Sequence, residues 1–173
     1  MKNILTILIV FCYLFSSGQD CTVDNIIPGF TNQGVYNGSN YFLSNDVATW
    51  EEADSICRSY GGHLVTISDS AEQVHVYTNV LGSGQGWIGL FQDCNTLSCE
   101  PDSGWQWVTG EPYVNLFGSW ASNSASGVAD NTENYAQITT SGPWNDLNGT
   151  DNLLYVMEFD TVSFNAIDIQ ITS

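Results

Sequence analysis

Basic residues are nearly missing from this chain. Two lysines and arginines stand against 19 aspartates and glutamates in 173 residues, a formal charge of −17. Nucleic-acid binding needs cationic neutralisation of phosphates, so that class of partner is excluded. Docking on an anionic membrane surface is excluded on the same ground. Internal salt bridges cannot carry the fold, since Arg58 is the only base beyond residue 2. Long apolar runs are missing as well: past the first fifteen residues no stretch is long enough to cross a bilayer. The uncompensated acids repel one another. A hard, oxygen-seeking cation such as calcium would relieve that repulsion. A salty extracellular medium would screen it instead.

What is present is globular. Hydrophobic residues make up 43% and aromatics 13%, which separates the chain from an acidic disordered tail. The length suits one domain with short extensions. Lys2, the apolar run 4–15 and the small residues Ser16, Ser17 and Gly18 have the layout of a secretory signal, which implies a secreted, extracellular protein. Cleavage near Gln19 would leave Arg58 alone against 19 acids, a charge of −18. Four cysteines would remain: Cys21, Cys57, Cys94 and Cys99. An even count in a secreted chain suggests two disulfides, with three possible connectivities. Cys94 and Cys99 share one loop-like stretch, favouring a local bridge and leaving Cys21 to Cys57. No C-x-x-C pair supports a tetrahedral metal site, and His63 and His75 lie elsewhere.

The chain order reads strand, helix, strand, helix, then a loop-rich β half. Residues 20–35 are turn-rich and read as an N-terminal extension. Residues 35–43 read as a strand bent at Asn37-Gly38. Thr49 and Glu52 have capping-box spacing, with Trp50, Ala53, Ile56 and Cys57 recurring at helical period behind them. Residues 63–67 form a short strand. Asp69 and Glu72 offer a second capping box for a helix running to about Leu81. From residue 82, glycine, serine, asparagine and tryptophan dominate. Short apolar runs at 87–90, 105–108, 135–138 and 154–159 read as strands between long loops. Loops this long are unusual in a compact domain unless functional or tied down. Residues 161–173 alternate Ile167, Ile169 and Ile171 with polar neighbours, a half-buried strand pattern that forms a C-terminal extension.

An ordered set of motifs then resembles the C-type lectin-like domain over residues 36–160. It comprises Trp50-Glu-Glu-Ala53 through Cys57, Gly62-His-Leu-Val-Thr-Ile67, Ser70-Ala-Glu72, Trp87-Ile-Gly-Leu90, Trp105-Gln-Trp107, Trp120, Trp144-Asn-Asp146 and Tyr155-Val-Met-Glu158. The resemblance implies an α+β fold. Two helices flank small antiparallel sheets, and a long loop region carries ligands. Two family bridges are missing. Met157 stands where the partner of Cys57 belongs, and Tyr135 and Asn148 stand where the inner bridge would be. This cysteine-poor pattern is similar to that of bacterial secreted variants. Burial of Met157 and Tyr135 would offset part of the lost cross-linking.

The resemblance also implies calcium in the long loop, bridging protein and sugar hydroxyls. Glu133, Asn145 and Asp146 match three of the family's ligands, and all supply the oxygen atoms that calcium prefers. The family's Glu-Pro-Asn or Gln-Pro-Asp triplet is missing: Ser124, Ala125 and Ser126 occupy its place, with Asn123, Asp130 and Asn131 as substitute oxygens. A second, structural calcium position would draw on Asp93, Asp102, Glu133 and Asn134. The tryptophans at 50, 87, 105, 120 and 144 match framework positions; Trp107 alternates with Trp105 and reads as framework first, with sugar stacking as the alternative. No nucleophile elbow, phosphate-cradling loop or His-Glu-x-x-His supports an enzyme.

The leading expectation is therefore a secreted carbohydrate-recognition module assisted by calcium, with a glycan or cell-surface carbohydrate as partner. A protein-binding or adhesion module on the same fold, its sugar site lost, is the alternative. An ice-binding surface across the weakly charged stretch 117–138 is a third.

Overall fold

The computed structural model describes residues 27–93, 104–113, 120–121 and 133–160. The first hairpin joins β1 (Phe30–Tyr36) to β2 (Ser39–Ser44). Asn37 and Gly38 both take positive φ, +48° and +97°, the conformation of a tight two-residue hairpin turn. The expected bent strand is thus two strands. The sheet also takes in residues 30–35, read from sequence as part of the turn-rich extension.

Helix α1 (Trp50–Ser59) begins as its sequence dictates. The Thr49 hydroxyl accepts the Glu52 N–H, and the Glu52 side chain returns to the Thr49 N–H, closing the capping box. Trp50, Ala53 and Cys57 form the buried stripe. The next strand, β3, is only His63–Leu64, shorter than expected. Helix α2 (Ser70–His75) is capped by Asp69, which accepts from the Ala71 and Glu72 N–H groups. The reciprocal half of that box is not made. Glu72 turns inward instead and is buried. The helix widens into a π-helical turn over Val76–Val80 before Leu81.

The remaining strands are β4 (Gly86–Gln92), β5 (Trp105–Trp107), β6 (Tyr135–Ile138), β7 (Trp144–Leu147) and β8 (Val156–Phe159). Residues 144–147, which hold the Trp144-Asn-Asp146 motif, form a strand of their own. Two four-stranded antiparallel sheets result, ordered β1-β2-β8-β3 and β5-β4-β6-β7. This is the α+β architecture expected. Gly89, in the Trp87-Ile-Gly-Leu90 run, explains how the sheets meet. The Gly89 N–H donates to the Val65 carbonyl at 2.8 Å, and a β-carbon on Gly89 would stand 2.6 Å from the Leu64 oxygen. Only glycine lets β4 approach the 64–65 backbone so closely. The flanking indoles fix the layer: Trp87 Nε1 donates to the Ala48 carbonyl and Trp50 Nε1 to that of Ile88.

The two missing cross-links are replaced by packing. Cys57 is a wholly buried thiol with no bridge partner among the described residues. Cys21, Cys94 and Cys99 lie outside the described residues, as does the expected strand at 161–173. Cys57 and Met157 are both fully buried in one apolar cluster with Phe42, Leu64 and Tyr155. Burial also pushes the Cys57 thiol upward, keeping it protonated. At the other corner Tyr135 packs on Gly149, one residue beyond the Asn148 expected from the resemblance.

Candidate functional site

Two of the expected ligands, Asn145 and Asp146, lie on β7, which runs beside β6. Trp144 anchors this ladder. Its ring is buried, and its Nε1 donates to Gln73 Oε1 at 2.7 Å. The Gln73 amide in turn donates to the Gly142 carbonyl at 2.8 Å. Helix α2 therefore holds the β6–β7 turn, and β7 leaves it in a fixed direction. Asn145 and Asp146 follow, registered against Gln137 and Ala136. Asp146 is buried at 7% exposure, and Asn145 is half-buried. The Asn145 amide donates to the Asp146 carbonyl, which fixes its own side chain.

Glu133 precedes β6 by two residues and is half-buried. Its neighbour Asn134 is tied to β4, accepting the Gln92 N–H at 2.9 Å. Asp93 follows Gln92 and donates its N–H to the Gly104 carbonyl at 3.3 Å. The weaker expected set is thus partly gathered: Asp93 and Asn134 sit at one end of β4. Asp102, Asn123, Ser124, Ala125, Ser126, Asp130 and Asn131 lie outside the described residues. Among the described residues, no group of three or more His, Cys, Asp or Glu side chains is assembled to hold a metal ion. Glu133, Asn145 and Asp146 offer two carboxylates and one amide. These hard oxygens suit calcium and no soft metal.

The aromatic expectations divide. Trp107 is buried and meets Trp144 edge-on at 5.7 Å, so it is framework and offers no face to a sugar. Trp120 is half-buried, 4.7 Å from Trp105, and donates from Nε1 to the Tyr113 hydroxyl at 2.7 Å. His75 stacks on Tyr36 at 4.2 Å, and burial lowers its pKa. His63 lies 3.5 Å from Asp160 and plays a structural part at the sheet edge.

Sequence reasoning missed two features. The first is a pair of buried carboxylates between the first sheet and α2. Glu158 accepts the Thr66 N–H at 3.1 Å. Glu72 accepts the Tyr41 hydroxyl at 2.7 Å and both the N–H and hydroxyl of Ser68. Burial raises the Glu158 carboxyl pKa, and the Glu72 charge adds to the effect against these hydrogen bonds. The second is a polar cleft beside Tyr135. Glu72 and Glu158 each stand in a motif of the family resemblance, but nothing in the sequence joins them or the cleft walls, because each feature is built from residues distant along the chain.

The C-type lectin domain family model matches residues 46–159, and the chain belongs to that family. The family is one of carbohydrate-binding lectins, not enzymes. Asialoglycoprotein receptor 2 of Rattus norvegicus is 30% identical over 148 residues, spanning 83% of this chain and 44% of the receptor. C-type lectin domain family 10 member A of Mus musculus is 34% identical over 115 residues, 64% of this chain and 35% of that protein. The chain thus spans less than half the length of these relatives. The Kupffer cell C-type lectin receptor Clec4f superimposes with a TM-score of 0.61 at 27% identity, covering 76% of this chain and 83% of that one. These are animal lectins, and they lend no support to the bacterial affinity expected from the missing cysteines.

Proposed function

We propose that the protein is a secreted carbohydrate-recognition module that binds glycans with the help of calcium. The observation that carries this reading is the fixed placement of Asn145 and Asp146 on β7, held from α2 through Trp144 and Gln73. A preset, partly buried pair of oxygen donors lowers the ordering cost of binding. Glu133 would complete the protein's share of the donors from the segment leading into β6. Membership of a lectin family supports the choice of ligand class.

Bound there, calcium would hold sugar hydroxyls through its open coordination positions. Asp146 and Glu133 would supply the charge, and Asn145 a neutral oxygen. The surplus of acids elsewhere keeps the domain soluble and favours cation approach. Calorimetric titration with calcium tests the assignment. The wild type is expected to give a saturable heat that Asp146→Asn loses. Equal heats in both proteins would contradict it.

A further inference from the structure

An open cleft of about 440 Å³ lies at the corner where β6 and β7 leave their ladder. Glu51, from the first turn of α1, forms one wall. Asn134 and Tyr135 form the second, and Asn148, Gly149 and Thr150 the third. None of Glu133, Asn145 and Asp146 lines it.

The cleft is firmly built. The Tyr135 hydroxyl donates to Glu51 Oε1 at 3.1 Å, and its ring lies 4.6 Å from that of Trp50. The Gly149 carbonyl accepts the Trp50 N–H at 3.1 Å. Asn148 Oδ1 accepts the N–H and hydroxyl of Thr150 at 3.0 and 2.9 Å, which fixes the turn. At Gly149 a β-carbon would overlap the Tyr135 ring, so the bare backbone allows the ring its place in the wall.

The lining chemistry defines the ligand. It consists of a carboxylate, two carboxamides, hydroxyls and one aromatic ring. It includes no base, and Arg58 is held by Asp54 at 2.8 Å. An anion would be repelled by Glu51 and would find no base to offset it. A cationic group would pair with Glu51, while the amides and Thr150 suit vicinal hydroxyls. The volume admits one sugar ring. We infer that this cleft is a second, metal-independent subsite for a single amine-bearing sugar. Its ammonium sits on Glu51 and its hydroxyls on Asn134, Asn148 and Thr150.

The test is a nuclear magnetic resonance titration of isotope-labelled protein, with chelator present throughout. Asn148-Gly-Thr150 has the Asn-x-Thr pattern of a glycosylation acceptor, so the protein is made in a bacterial host that leaves it bare. The probes are D-glucosamine, D-glucose and ammonium chloride, used below neutral pH. D-glucosamine is expected to shift the backbone and side-chain amide signals of Asn134, Asn148 and Gly149 saturably. D-glucose should bind about tenfold more weakly, the loss of one useful charge pair. Glu51→Gln, on an exposed position, should erase that preference while the remaining spectrum stays folded. Absence of shifts with D-glucosamine would overturn the proposal. So would equal effects of D-glucosamine with either D-glucose or ammonium chloride, or a preference that survives Glu51→Gln. Chelator keeps this outcome independent of calcium-assisted binding on β7.

Discussion

The Tyr135 ring packs on the bare α-carbon of Gly149 so tightly that a β-carbon there would overlap its Cδ2 and Cε2 atoms. This contact joins the start of β6 to the turn after β7, where the family resemblance implies a disulfide. It predicts strong coupling between the two positions. Gly149→Ala should destabilise the domain by about 1–3 kcal/mol, the usual cost of overpacking. In a Tyr135→Ala background the same change should cost much less, because the clash has gone. Urea denaturation of the four proteins in the cycle measures this. Additive effects would show that the two residues do not depend on each other.

Cys57 and Met157 form the second substitute. Both are fully buried in the same cluster, and Leu64 on β3 is registered against Met157. Met157→Cys should therefore close a bridge to Cys57 under oxidising conditions. The oxidised variant should exceed its own reduced form by about 2–4 kcal/mol in unfolding free energy. Mass spectrometry of unreduced peptides identifies the bond, and denaturation with and without reductant gives its effect. A variant that stays fully reduced would mean that the two side chains do not face each other.

Glu158 gives a pH dependence of definite sign. Burial raises its pKa above the usual 4.5, so the folded state favours the neutral acid. The stabilising contribution of this group is complete below the unfolded value. It is lost as pH rises through the folded value. Glu158→Gln should therefore help more at neutral pH than in acid, provided the new amide oxygen keeps the Thr66 N–H as donor. A pH series of denaturation midpoints checks this through the difference between the two proteins. Parallel curves would show that Glu158 titrates as an ordinary exposed acid.

Thr49 and Glu52 should behave in the opposite sense. The Thr49 hydroxyl, followed by its backbone N–H, holds the Glu52 carboxyl below its ordinary range. That contribution is present above the unfolded value and lost as pH falls through the folded one. Thr49→Ala should lower the melting temperature at neutral pH, with the difference shrinking in acid. A constant difference across the pH range would leave the cap without its ionic component.

The local signals in the sequence served the fold well. The Thr49–Glu52 box appears as written, and β6 spans the same four residues read from the apolar run at 135–138. Residues 144–147 escaped notice as a strand because they are few and their alternation is masked by the familiar Trp-Asn-Asp motif. Glu72 has the spacing of a cap partner. Burial against Tyr41 and Ser68, contacts no local pattern reveals, claims its side chain instead. Asn145, Asp146 and Glu133 entered as candidate ligands through the family resemblance, since no local pattern in the chain marks an oxygen site. The Glu51–Tyr135–Gly149 cleft was not legible, since its walls come from three distant segments.

Glycan-array binding with calcium and with chelator, run on the wild type and on Asp146→Asn, tests the proposed function most directly. The proposal predicts binding by the wild type in calcium, loss of that binding in chelator, and little binding by Asp146→Asn in either buffer. Silence of the wild type under both conditions, or binding indifferent to chelator and to Asp146→Asn, would contradict it.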